Sequence, residues 1–143
     1  MARVEVHRAT FQRETQKAAR RWADRVGHDV VNEAKRRCPV DEGALRASIT
    51  HVAKVETSTA TVVVGSPLPY AECVHEGTGL YGPHHTPIVP VTREFLKFKP
   101  KNPAASKDKR GYIFRRSVKG QKPQPFLADA LRAVMGTIRT RTK

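Results

Sequence analysis

From Ala9 to Arg37 the apolar residues Phe11, Ala18, Trp22, Val26, Val30 and Ala34 recur mostly at four-residue steps, and Arg13, Lys17, Arg20, Arg21 and Arg25 lie largely off that line. This spacing predicts one long amphipathic helix, because residues three and four apart share a face. Cys38-Pro39 ends it, since the proline ring disfavours helical geometry in the residue before it. Gly27 lies inside the helix and is expected to weaken it by ~1 kcal/mol relative to alanine. A helix this long must pack on something broad, and a sheet is the expected partner.

The downstream chain supplies that sheet. Asp41 is expected to cap a short helical turn through Glu42-Gly43-Ala44-Leu45-Arg46. Ala47, Ile49, His51, Ala53 and Val55 then alternate with Ser48, Thr50, Val52, Lys54 and Glu56. Ala60 to Gly65 follows after Thr57-Ser58-Thr59, predicting a hairpin with Val62 and Val64 on one face. Tyr70 to His75 reads as a short helix in preference to a strand, ended by the turn Glu76-Gly77-Thr78-Gly79.

Between Leu80 and Pro90 the residues Gly82, Pro83, His84, His85, Pro87 and Pro90 forbid long regular structure and predict a projecting loop. Phe95 to Lys99 and Gly111 to Arg116 read as strands of a second hairpin, with Pro100 to Arg110 as its polar, lysine-rich tip, expected to be flexible. Pro125 suits the first position of a helix, where its missing N–H costs little. Phe126, Leu127, Ala130, Leu131, Val134, Met135 and Ile138 then form a wide apolar stripe, followed by a basic tail, Arg139 to Lys143. The fold class expected is α+β: a long N-terminal helix packed on an antiparallel sheet, a C-terminal helix and an extended basic hairpin loop.

With 143 residues, 38% of them hydrophobic, the chain can bury one modest core, so a single domain spanning residues 1–143 is expected. An aromatic share of 6% and ten prolines imply a thin core that completes its burial against a partner subunit. The net charge of +14 is unevenly placed. Residues 1–37 hold ten basic and five acidic side chains, residues 38–96 three and six, and residues 97–122 ten and one. That last block is Lys97, Lys99, Lys101, Lys107, Lys109, Arg110, Arg115, Arg116, Lys119 and Lys122 against Asp108. It would attract phosphate backbones or acidic protein surfaces without specifying a base sequence, or serve only as a solvated loop. No apolar N-terminal run would serve as a signal peptide or membrane span, so a cytosolic chain with reduced thiols at Cys38 and Cys73 is expected, and a disulfide between them is disfavoured there.

Catalytic signatures are missing. Cys73, His75, His84 and His85 form the only cluster of metal-ligand types, but their spacing is unlike common zinc patterns and no Cys-x-x-Cys accompanies them. Ser48, Ser66, Ser106 and Ser117 lie in none of the usual nucleophile contexts. Gly77-Thr78-Gly79 and Gly120-Gln121-Lys122 lack the further glycines of a phosphate-binding loop and read as turns. Glu72 and Glu76, four apart, resemble a nuclease carboxylate pair, with His84 or His85 as further ligands, but nothing completes the set. No catalytic residue, cofactor or metal is expected. Tyr112 and Phe114 alternate onto the same face of the second hairpin, where burial is the expectation over base stacking.

Taken in order, Cys38-Pro39-Val40-Asp41-Glu42-Gly43-Ala44-Leu45-Arg46-Ala47-Ser48-Ile49, then Val64-Gly65, then Tyr70-Ala71 with His75-Glu76-Gly77-Thr78, then Gln124-Pro125-Phe126-Leu127 with Ala130-Leu131, resemble the neck or tail-completion proteins of long-tailed bacteriophages, also called minor tail or head-tail connector proteins. The similarity spans roughly Val31 to Val134. It implies a small α+β fold in which a sheet wraps a long helix, and a non-enzymatic virion protein assembling as a homo-oligomeric ring, a hexamer favoured, at the head-tail junction. It assigns structural roles to Pro39, Asp41, Gly43, Leu45, Ser48, Ile49, Tyr70, Glu76, Gly77, Thr78, Pro125, Phe126 and Leu127. The neighbours implied are head-closure and tail-terminator proteins, with DNA passing through the channel and no membrane. Location would be the virion neck, after assembly in the host cytoplasm. Pro100 to Arg110 departs from the pattern as an insertion of variable character. The rival reading from charge alone is a basic nucleic-acid-binding protein of the infected-cell cytoplasm.

Overall fold

The computed structural model describes residues 8–100, 102, 104, 106 and 110–141. They form helices α1 (Arg8–Arg37) and α2 (Ala44–Ser48), strands β1 (Thr50–Val55) and β2 (Ala60–Gly65), helix α3 (Tyr70–Glu76), a 3-10 turn (Gly79–Tyr81), strands β3 (Leu96–Phe98) and β4 (Ile113–Arg115), and helix α4 (Phe126–Arg141). Both sheets are antiparallel pairs, β1 with β2 and β3 with β4. The α+β class expected from the sequence is the one observed. The chain divides into two compact units, one ending at Leu68 and resuming at Phe126, the other Pro69–Pro125.

In the first unit α1 packs on β1, β2 and α4. Its buried apolar residues are Ala23, Val26, Val30, Val31 and Ala34 of α1, with Cys38, Leu45, Ile49, Phe126 and Ala130. The hairpin register pairs Val52 with Val63 and Ala53 with Val62. Side chains alternate across a strand, so His51, Ala53, Val55, Val62 and Val64 turn inward while Val52 and Val63 form an exposed pair on the outer face.

The apolar line on α1 does not stay on one face. Each four-residue step advances about 40° around a helix of 3.6 residues per turn, so the line from Trp22 through Val26 and Val30 to Ala34 turns through about a third of the circumference. Only its C-terminal part reaches the core, joined there by Ala23, Gly27 and Val31. Phe11 and Trp22 are 65% and 50% exposed, a correction to the single packed stripe expected.

Gly27 is also a packing residue. A Cβ at this position would come 2.7 Å from Cγ of His51 on β1. The His51 ring lies edge-on against His28, centroids 4.6 Å apart, with its Nε2 3.8 Å from the Asp24 carboxylate. The helix-propensity cost of glycine is therefore offset by a close helix–strand approach that even an alanine Cβ would crowd against the His51 ring.

The residue preceding α2 is Gly43, left-handed at φ 87°, and no side chain caps the helix there. Asp41 is thus not the N-cap expected, because glycine adopts this turn without strain and its own carbonyl accepts from Ala47 N at 2.9 Å. The helix runs on to Ser48, whose Oγ donates to Leu45 O at 2.8 Å and lies 2.7 Å from Ser66 Oγ, so β1 begins at Thr50 and not at Ala47.

The second unit has a different organisation. Among its described apolar residues only Ala71 is buried. Backbone bonds hold it: Thr78 N to Gln121 O at 2.9 Å, Leu80 N to Lys119 O at 2.8 Å, Gln124 N to Val74 O at 3.0 Å, and a mutual pair between Ile88 and Val118 at 2.9 Å. Thr78 Oγ1 also accepts from Gln121 N at 2.9 Å. The two segments expected to be separate turns are one crossing of backbones, made by Gly77 and Gly79 on one side and Gly120 on the other, all at positive φ. A Cβ on Gly77 would lie 2.8 Å from Gln121 O, and one on Gly120 would run into the Thr78 carbonyl. The segment from Pro83 to Val89 is exposed, as a projecting loop should be, yet it is tied down at Ile88.

Candidate functional site

The β3–β4 register places Lys97 opposite Phe114 and Phe98 opposite Ile113. Alternation therefore separates two faces: Phe95, Lys97, Lys99, Tyr112, Phe114 and Arg116 on one, Leu96, Phe98, Ile113 and Arg115 on the other. The first face is a ladder of cations over rings. Lys97 Nζ lies 4.2 Å from the Tyr112 centroid and 6.0 Å from that of Phe114, Lys99 Nζ 5.3 Å from Tyr112, and the Arg116 guanidinium 5.5 Å from Phe95. Nearby, Lys122 Nζ stands 5.8 Å from the Tyr81 ring.

Tyr112 and Phe114 share a face, as the alternation predicts, but they are not buried: Phe114 is 52% exposed. The lysines opposite them explain why. An ammonium keeps its hydration by staying at the surface, and a ring beneath it gains about 0.5–1 kcal/mol from the cation without leaving water completely. The sequence signal was present in the pairing of Lys97 with Phe114, which becomes visible only once the register is known.

Of the basic residues singled out, Lys97, Lys99 and Arg116 converge on this ladder, and Lys122 sits over Tyr81. Arg115 points to the opposite face. Lys119 lends its carbonyl to the glycine crossing, and its side chain, like that of Arg110, is exposed. Lys101, Lys107 and Lys109, with much of the Pro100 to Arg110 tip and the end of the basic tail, lie outside the described residues. Glu94 supplies a counter-charge to the ladder, 3.4 Å from Arg116.

The other residues singled out occupy packing and backbone positions. Leu45, Ile49 and Phe126 are buried, Leu127 is half-buried, Pro39 follows the end of α1, Gly43 makes the α2 turn, Ser48 ties it, and Gly77 and Thr78 form the crossing. Pro125 directly precedes α4, while Asp41, Tyr70 and Glu76 are exposed. Glu72, Cys73, Glu76 and His84 line a groove of about 420 Å³ with Pro83 and Ile88. Among the described residues no three His, Cys, Asp or Glu side chains are placed to hold a metal ion. Both cysteines are free; burial pushes the Cys38 thiol up, partly countered by Arg46, and Cys73 is exposed.

Residues 8–77 match a family model described as "Bacteriophage HK97-gp10, putative tail-component". Over this segment, just under half of its length, the chain is similar to that phage family. The match takes in α1, α2, the β1–β2 hairpin and α3, so it includes the Cys38 to Ile49 and Tyr70 to Gly77 blocks. It begins well before Val31, where the resemblance seen in the sequence starts, and it leaves the basic hairpin and the Gln124 to Leu131 block outside the matched residues. No curated protein and no solved structure matches the chain.

Proposed function

We propose that this chain is a non-enzymatic structural protein of a tailed-phage virion, part of a homo-oligomeric ring at the head-tail junction that joins the tail to the DNA-filled head. The observation that carries this reading is the match of residues 8–77 to a phage tail-component family. The molecule's surface supports it. Phe11, Trp22, Val52 and Val63 are all at least half exposed, the state expected of a subunit that completes its burial in an assembly. Residues 1–143 act as one subunit of the ring, with head-closure and tail-terminator proteins as neighbours.

The cation–aromatic face of the β3–β4 hairpin is the surface assigned to DNA in the channel. Lysines and arginines near phosphates add salt-dependent, sequence-independent affinity, suited to a duplex that must pass through. Replacing Lys97, Lys99 and Arg116 with glutamine together should lower the slope of log affinity against log salt by about 0.9 for each phosphate that is no longer neutralised; an unchanged slope removes the hairpin from the DNA path.

The assignment to the junction is tested by deleting the gene from its source phage and counting heads, tails and joined particles by electron microscopy. Filled heads beside unattached or misended tails are expected. Normal infectious particles would overturn it and favour a nucleic-acid-binding role in the infected cell, for which the same basic face would serve.

A further inference from the structure

The N-terminal half of α1 carries an exposed apolar stripe with cations beside it. Phe11, Thr15, Ala18 and Trp22 fall within about 60° of one another around the helix. The same side of α1, about two to three turns beyond Trp22, is Asp29 and Glu33, which line a cleft with Ala133, Val134 and Thr137 of α4. So α4 borders this side of the C-terminal half of α1 across that cleft, and Phe11 and Trp22 continue the line as exposed residues. Arg21 and Arg25 flank the stripe one turn apart. Neither makes an ion pair within 4 Å among the described residues, although Arg21 adds to the pull of Lys17 on the Glu14 carboxylate, which Lys17 engages at 2.8 Å.

An antiparallel pairing of two such stripes would bring basic flank to basic flank. The surface that complements the stripe is the groove beside α3. It is mostly apolar, shaped by Gly82, Pro83, Pro87 and Ile88, and large enough at about 420 Å³ for an indole ring. On its rim Glu72 and Glu76 are exposed, one helical turn apart, and make no ion pair among the described residues. Two cations about 6 Å apart along one helix thus match two carboxylates about 6 Å apart along another.

We infer that Trp22 of one copy seats in the α3 groove of the next, with Arg21 and Arg25 against its Glu72 and Glu76. The contact joins two different surfaces, so repetition propagates head to tail and closes a ring when the rotation allows. This inference rests on the ring reading above and names its subunit contact.

The chain carries its own reporters, since Trp22 is the only tryptophan and Cys73 the only exposed cysteine. Trp22 emission of the purified full chain is followed as concentration is raised, for four forms: the native sequence, Arg21→Glu with Arg25→Glu, Glu72→Arg with Glu76→Arg, and all four changes together. A blue shift with self-association is expected for the native form, roughly tenfold weaker association for each double variant, and recovery in the fourfold variant. In parallel, Thr15→Cys with a short bis-maleimide should give dimers linked to Cys73 of a second copy, abolished in Cys73→Ser. Association indifferent to charge reversal, absence of self-association, or dimers that persist in Cys73→Ser overturn the contact.

Incorporation into particles of the deleted phage separates the two readings. If the native chain enters virions and both double variants enter equally well, the contact is wrong and the virion role stands. If the native chain enters no particle, the virion role fails, and the fluorescence and cross-linking results judge the contact by themselves.

Discussion

The two units of the molecule are held together by different physics. In the unit of α1, the β1–β2 hairpin and α4, ten of the described apolar residues are buried, and Ile49 and Ala130 are almost wholly enclosed. The unit Pro69–Pro125 buries Ala71 alone among its described apolar residues and depends on hydrogen bonds across a crossing of glycines, with cations laid over exposed rings. The first is stabilised chiefly by removing apolar surface from water. The second is specified by backbone geometry, which leaves its side chains available to solvent and partners.

The sharpest way to break this comparison is to cut a side chain from each unit. Ile49→Ala should cost about 2–5 kcal/mol in chemical denaturation, since it leaves a cavity in an enclosed site. Phe114→Ala should cost less than about 1 kcal/mol, because a half-exposed ring gives up little burial and only a distant lysine above it. Equal effects would mean that the hairpin is packed like the core.

Backbone substitutions should reverse the ranking. Gly120→Ala should destabilise by roughly 3 kcal/mol, through its φ of 90° and its collision with the Thr78 carbonyl, with loss of amide protection at Thr78 and Gln121. Gly136, which has open space around it in α4, should gain up to ~1 kcal/mol on the same replacement. Gly27→Ala lies between them. Helix propensity alone favours the change by ~1 kcal/mol, but overpacking against His51 should turn it into a net loss of about 1–2 kcal/mol.

The smallest effect expected is on the thiols. Iodoacetamide should label Cys73 rapidly in the native protein and Cys38 only on unfolding. Burial raises the Cys38 thiol above its ordinary value of 9.0, so the neutral form is favoured in the folded state. That contribution is fully present below about pH 9 and disappears as pH climbs through the raised value, because the unfolded chain then ionises first. Cys38→Ala should remove this alkaline component of the stability profile while leaving the neutral-pH labelling of Cys73 unchanged.

Much of the local structure was legible in the residues. Pro39 stopped α1, alternation set the inward face of the β1–β2 hairpin, Tyr70 to Glu76 formed the short helix preferred over a strand, and the apolar run from Phe126 formed α4. Each of these signals acts within a few neighbouring residues. The cation–aromatic face was half legible: alternation put Tyr112 and Phe114 on one side, but their exposure depended on which residues stood opposite.

Where periodicity had to be extended over many turns, it failed. The four-residue steps of α1 looked like one stripe, but precession split them into a buried C-terminal face and an exposed N-terminal one. Gly27 and Gly120 looked like a weak point and a turn, and their meaning came from backbone and ring atoms 24 and 42 residues away, at His51 and Thr78. By itself, then, the sequence determined the elements, the end of α1, the start of α4 and the basic character of the hairpin, because sterics and charge are local. Tertiary structure alone decided which apolar residues are enclosed, which glycines are indispensable and which cations find an aromatic partner, because those properties belong to pairs of segments brought together only when the chain folds.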